Sequence, residues 1–98
     1  MRIATWNVNS LAVRLPQLLE WLAANPVDVI ALQELKLTDD KFPKAELEAA
    51  GYRGNWFGQK TYNGVALLHR DSLGDATDVT RNIATFEDDQ ARVIAGSF

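Results

Sequence analysis

The stretch Val27–Lys36, VDVIALQELK, decides how the rest of the chain is read. Val27, Val29, Ile30, Ala31 and Leu32 form an apolar run rich in β-branched residues. A run this short, bounded upstream by Pro26, predicts a strand buried on both faces. It ends in Gln33 and Glu34. A carboxylate at the end of a buried strand costs free energy to desolvate unless a partner offsets it. A divalent cation, which favours oxygen ligands, is one such partner, and a salt bridge to Lys36 is the other. On these residues alone the salt bridge is the commoner arrangement, since strand ends often carry a charge.

Upstream, Arg2–Val8 alternates, with Ile3, Thr5 and Asn7 on one side and Ala4, Trp6 and Val8 on the other, and reads as a strand. It runs into Asn7-Val8-Asn9-Ser10, where two carboxamides two apart would share a strand face. Ordinary turn chemistry explains these residues equally well, because Asn and Ser close turns. Leu15, Leu18, Leu19 and Leu22 then predict an amphipathic helix over about Leu15–Ala24, with Pro16 in its first turn and Asn25-Pro26 as its stop. Strand, helix, strand in this order implies a crossover between parallel or near-neighbour strands.

Downstream, Leu37–Lys41 reads as polar loop, and Lys44–Ala50 as a short helix after Pro43, ended by Gly51. Tyr52–Gly58 and Val65–His69 read as strands joined by a turn over Gln59–Gly64, whose Asn-Gly pair is a hairpin signal. Arg70–Asp78 reads as polar loop and Val79–Ile83 as a short edge strand. Glu87-Asp88-Asp89 reads as a solvated acidic loop, and Arg92–Phe98 as a last strand. The pattern calls for an α/β sheet of roughly five or six strands with helices on one face. Strands buried on both faces also need cover on the other face. One good helix and one short one supply too little of it.

With 98 residues the chain makes at most one small domain. No apolar run approaches membrane-spanning length, and MRIATWNVN lacks the plan of a signal peptide. There is no cysteine, so disulfides and thiolate metal sites are excluded, and a cytoplasmic location is compatible. A net charge of -3 argues mildly against nucleic-acid binding by the whole surface and leaves room for a local basic face.

Trp6-Asn7-Val8-Asn9-Ser10, Leu32-Gln33-Glu34-Leu35-Lys36, Gly58-Gln59-Lys60, Tyr62-Asn63-Gly64-Val65-Ala66-Leu67-Leu68 and Gln90-Ala91-Arg92-Val93-Ile94 occur in an ordered series. In order and spacing this series resembles the exonuclease III family of DNA repair enzymes, within the endonuclease/exonuclease/phosphatase superfamily. A lone Gln-Glu pair would say little; the ordered set is specific. The resemblance implies the N-terminal part of a four-layer α/β sandwich, two packed mixed β-sheets flanked by helices. Residues 1–98 would be the N-terminal portion of one domain, its C-terminal part absent. Family members continue with a catalytic Tyr, an Asp-x-Asn loop and a terminal Asp-His pair, none of which is found here. His69, the sole histidine, follows a buried run and matches none of these motifs. Ser10 stands where the family usually has Gly, and Ala12 where relatives often place a basic residue near a DNA phosphate; Arg14 is the available substitute.

By this resemblance Glu34 would ligate Mg²⁺ or Mn²⁺, and Asn7 would sit beside it, ligating the metal or binding the phosphate or the attacking water. The chemistry suits them: a hard cation takes carboxylate oxygen, and a neutral amide does not repel an anionic substrate. Asn9 is a weaker candidate. Lys36, on the same face as Glu34 if the chain is extended, would balance the site's charge or be a plain surface lysine. Lys60, Tyr62, Asn63 and Gly64 would face duplex DNA, with Lys60 and Arg92 meeting phosphates without reading sequence. Without the resemblance Tyr62 is an ordinary hairpin aromatic. The implied activity is metal-dependent hydrolysis of phosphodiesters at abasic sites and 3′ ends of duplex DNA. Alternatives are a phosphodiesterase of the same superfamily acting on RNA, an inositol phosphate or a lipid, and a non-catalytic half-domain. This chain alone is expected to be inactive and, with an apolar sheet face exposed, to self-associate.

Overall fold

The computed structural model describes residues 1–58, 63–74, 77–81 and 94–97. The elements run β1 (Ile3–Asn7), α1 (Leu11–Ala24), β2 (Val29–Gln33), a 3₁₀ turn at Asp39–Lys41, α2 (Lys44–Ala49), β3 (Tyr52–Phe57), β4 (Val65–Arg70), a 3₁₀ turn at Asp71–Leu73, β5 (Thr77–Arg81) and β6 (Ile94–Ser97). The first four strands form one mixed sheet in the order β1-β2-β4-β3, and β5 and β6 pair separately. The six described strands are therefore split between two sheets, rather than joined in the single sheet that the pattern suggested. No described helix is long and apolar enough to cross a membrane.

β1 and β2 run parallel, with Ile3 opposite Val29 and Asn7 opposite Gln33. β4 is antiparallel to β2 and to β3. This register puts Ala4, Trp6, Ile30, Leu32, Ala66 and Leu68 on one face, since alternate residues share a face. Both helices pack there. α1 contributes Leu11, Leu18 and Leu22, and α2 contributes Leu47, all at 2% exposure or less. Each such leucine stabilises the fold by about 1.5–3 kcal/mol relative to an exposed one. β6 runs near β4, and on the face opposite the helices Val65 and His69 of β4 are buried. The same face of β1 is open, with Ile3 70% exposed. β1 is also the sheet's edge.

α1 starts at Leu11, four residues ahead of the expected position, and Pro16 lies inside it. The earlier start is fixed by Leu11, whose N–H donates to the Leu35 carbonyl at 3.0 Å while its side chain is fully buried. Pro16 removes the hydrogen bond to the carbonyl of Ala12. Both residues are exposed, so water can take that carbonyl. Asn25 closes the helix as expected, its backbone N–H donating to Trp21 O at 2.8 Å. Leu37, expected in a polar loop, is instead buried at 7% exposure.

The pole opposite the β1 and β2 C-termini is clamped. Asp28 accepts the Arg2 N–H at 2.5 Å and is bridged by the Arg70 guanidinium. These contacts, the Arg2 hydrogen bond foremost, hold the Asp28 carboxyl below its ordinary range. Tyr52 donates its hydroxyl to the Val27 carbonyl at 2.7 Å, and burial pushes its phenol upward.

Candidate active site

The C-terminal ends of two parallel strands bring Asn7 and Glu34 together. β1 ends at Asn7 and β2 at Gln33, its register partner, so Glu34 is the first residue beyond the sheet. The Asn7 Nδ2 amide donates to Glu34 Oε2. The Asn7 Oδ1 accepts the backbone N–H of Asn9 at 3.1 Å. Reversing the amide would set oxygen against carboxylate and NH₂ against N–H, so the partners dictate its orientation. The turn reading and the site reading of Asn7 and Asn9 are thus one arrangement, in which the turn aims the amide at the carboxylate.

Glu34 pairs with Asn7 and not with Lys36. The Lys36 ammonium instead donates to Asn9 Oδ1. Lys36 and Glu34 do not share an extended face, because both have positive φ, 56° and 55°. All the described non-glycine residues with positive φ lie here: Asn9, Ser10, Glu34, Lys36 and Asn63. Such conformations are uncommon outside glycine, and they cluster at functional sites where surrounding contacts over-determine them.

Those contacts form a ladder beyond the sheet. Val8 N–H donates to Gln33 O at 3.0 Å, and Ser10 N–H to Glu34 O at 2.9 Å. From the other side, Leu35 N–H donates to Gly64 O at 3.1 Å and Lys36 N–H to Asn63 O at 2.9 Å. Gly64 has φ +90°, and a Cβ there would lie 2.9 Å from Leu35 Cβ. Glycine is therefore needed at position 64 both for its backbone and for its fit. Gln33 Nε2 donates to Thr5 Oγ1 at 2.9 Å and ties the two strands just below the site. Ser10 and Leu35 enter the site only through their backbones, which is why the residue pattern did not single them out. The one signal was Ser10 itself, a serine where a glycine would be easier.

The donor set is oxygen-rich and suits a hard cation such as Mg²⁺ or Mn²⁺. Glu34 Oε1 is left unengaged by the Asn7 contact. Among the described residues no three His, Cys, Asp or Glu side chains cluster as a metal cage. Glu34 and the neighbouring carboxamides are the share of a coordination shell that these residues can offer. The 14-residue helix α1 opens beside them with Ser10 as its cap, and no acidic side chain occupies its first turn. Its positive dipole end therefore favours an anion at this place. Arg14 sits on that first stretch of α1, its N–H donating to Ser10 O at 3.1 Å. Lys60, Tyr62 and Arg92 lie outside the described residues.

A cleft among the described residues lies elsewhere. It has a volume of about 390 Å³ and is lined by Ala4, Thr5, Trp6, Gln17, Trp21 and Ile30, between β1 and α1. None of these lining residues is acidic or basic, unlike the Asn7–Glu34 pair.

Residues 4–96 match the model of the Endonuclease/Exonuclease/phosphatase family. The chain is 37% identical over 95 residues to an exodeoxyribonuclease III of Haemophilus influenzae, covering 96% of this chain and 34% of that protein. In structure it is similar to a 3′–5′ exonuclease (NExo) from Neisseria meningitidis, at 52% identity and TM-score 0.91, over 98% of this chain and 37% of that one. A variant of the Neisseria protein has been solved with a product DNA hairpin. An AP endonuclease from Archaeoglobus fulgidus is 35% identical, with TM-score 0.89, over 98% of this chain and 36% of that one. The chain thus spans about a third of the length of these relatives. With nearly its whole length inside the matched segment, and with the fold of exonuclease III and AP endonucleases over that length, the chain belongs to the Endonuclease/Exonuclease/phosphatase family.

Proposed function

We propose that residues 1–98 are the N-terminal portion of one nuclease domain that hydrolyses phosphodiesters at abasic sites and 3′ ends of duplex DNA, with Mg²⁺ or Mn²⁺. The observation that carries this reading is the Asn7–Glu34 pair, a carboxylate oriented by an amide at the ends of two parallel strands. Its relatives include an exodeoxyribonuclease III and an AP endonuclease, and the Neisseria relative was captured with a DNA product. A divalent cation bound at Glu34 would offset charge developing on the phosphoryl group.

In this reading each residue has a distinct task. Asn7 holds Glu34 in place through its NH₂ group and keeps a lone pair on Oδ1 for water or cation. Lys36, fastened to Asn9, brings positive charge to the edge of the site. Asn63 and Gly64 brace the backbone of Lys36 and Leu35. Arg14, Lys60, Tyr62 and Arg92 supply contacts to duplex DNA, chiefly to phosphates. Activation of the water and protonation of the leaving group fall to residues beyond this set.

The test is nicking of a duplex with a single abasic site, using the 98-residue chain with Mg²⁺, with EDTA, and as Glu34→Gln. No cleavage by this chain is expected in any arm. Fusing it to the remaining two-thirds of a relative should give cleavage that is lost with EDTA and lost with Glu34→Gln. Cleavage by that fusion after Glu34→Gln would remove Glu34 from the mechanism. Hydrolysis of RNA or of a phosphorylated lipid, with duplex DNA left intact, would move the substrate to another branch of the family.

A further inference from the structure

Gln33 stands beside the Asn7–Glu34 pair and takes no part in it. It is the register partner of Asn7 on β2, on the same face of the sheet, and it directly precedes Glu34. Its side-chain amide carries two N–H donors. A carboxylate is the stronger partner for such a donor, since a hydrogen bond with one charged end is roughly twice as strong as a neutral one. Glu34 Oε1 is left open by the Asn7 contact. Asn7 Oδ1 accepts the Asn9 N–H and keeps a second lone pair. Gln33 nonetheless turns away from both. Its Nε2 donates to Thr5 Oγ1 at 2.9 Å, back along β1 from Asn7. Ala31, opposite Thr5, is small enough to leave the path between them open.

Thr5 is exposed on the edge strand of the sheet, so its hydroxyl serves no core packing. The bond it makes decides where the Gln33 amide lies. We infer that Thr5 is a positioning residue for the proposed cation site: by holding the Gln33 amide back along β1, it keeps the open oxygens of Glu34 and Asn7 for a divalent cation. Once released, Gln33 would turn its amide onto Glu34 and compete with the cation for that oxygen. The inference rests on the nuclease reading above, in particular on a cation at Glu34. It assigns Thr5 and Gln33 no contact with the cation or with DNA.

A bond that merely braced β1 against β2 would look the same, and deleting Gln33 separates the two roles. A released amide competes, whereas an absent one cannot. Mn²⁺ binding by the 98-residue chain would be measured from the electron paramagnetic resonance signal of the free ion. Melting curves would confirm that each variant is folded at the working temperature. Thr5→Val keeps the branched shape without the hydroxyl and should weaken Mn²⁺ binding about tenfold, the worth of one hydrogen bond to a charged group. Thr5→Ser keeps the hydroxyl and should bind as the unsubstituted chain does. Thr5→Val combined with Gln33→Leu should regain the original affinity, because the competing amide is gone. Unchanged binding in Thr5→Val overturns the inference, as does an equal loss in Thr5→Ser. A double variant that stays as weak as Thr5→Val marks a brace and overturns it too. Should either valine variant not fold, Thr5→Ala, alone and with Gln33→Ala, is read in the same way. Glu34→Gln is the control. If it binds Mn²⁺ as well as the unsubstituted chain, or if neither binds, the cation site fails and the inference falls with it. Binding lost in Glu34→Gln but unaltered in Thr5→Val sinks the inference alone.

Discussion

At Ser10 the backbone has φ 91° and ψ 104°, a region that only glycine enters without steric cost. Its side chain makes no capping hydrogen bond in return. Strain of this kind is worth on the order of 1–3 kcal/mol, partly offset in a glycine variant by the greater freedom of its unfolded chain. Ser10→Gly should therefore stabilise the chain by about 1 kcal/mol, raising the melting temperature by roughly 4–8 °C in a thermal scan. A lower melting temperature would mean that the hydroxyl matters more than the backbone. That Asn7 and Glu34 would lie side by side was legible in the sequence, because both close strands of one sheet. The left-handed backbone at Glu34 and Lys36 was not, since neither residue type announces positive φ. That is why Lys36 was expected beside Glu34 and is found on Asn9 instead.

Among the elements, β1, β2, β4 and α1 could be read from alternation, apolar runs and the leucine repeat, because these are direct consequences of burial, whereas α2 was marked by Pro43 and Gly51 and β3 by its aromatic run. The start of α1 could not be read. Pro16 suggested a first turn, whereas Leu11 is drawn into the core by packing and by a hydrogen bond from a distant segment. The junction of β2, β4 and the chain start has a consequence for pH. Asp28 is held below its ordinary range in the folded state. Its contribution is therefore present above the unfolded carboxylate pKa, about 3.9, and is lost as pH falls through the lower folded value. The melting temperature should drop on acidification below about pH 4, and Asp28→Asn should show a flatter acid limb from a lower starting point. Equal acid limbs in melts of the two proteins would discount this clamp.

For the whole molecule, the covered and open parts of the sheet are unequal. Helices cover one face, β4 is buried on the other, and β1 presents an unpaired edge with Ile3 exposed beside it. Unpaired edges with apolar neighbours invite pairing with another chain. The 98-residue chain should therefore sediment partly as dimers or larger species, and Ile3→Lys should shift it toward monomer. A compact monomer at high concentration in the unsubstituted chain would count against this. The division of the strands into a sheet of four and a pair left no mark in the local pattern, since pairing joins distant segments; the expectation of two sheets came from the family resemblance alone.

The order in which the strands join the sheet also bears on synthesis at the ribosome. Every strand of the main sheet, and every described hydrogen bond around Asn7 and Glu34, lies between Ile3 and Arg70. In a polypeptide as long as its relatives, that segment would emerge while most of the protein was still untranslated. The amide–carboxylate pair could thus be assembled on such a nascent chain while most of it was still to come. On the proposed reading, the carboxylate offered to a cation would thus be in place before the groups that complete the site.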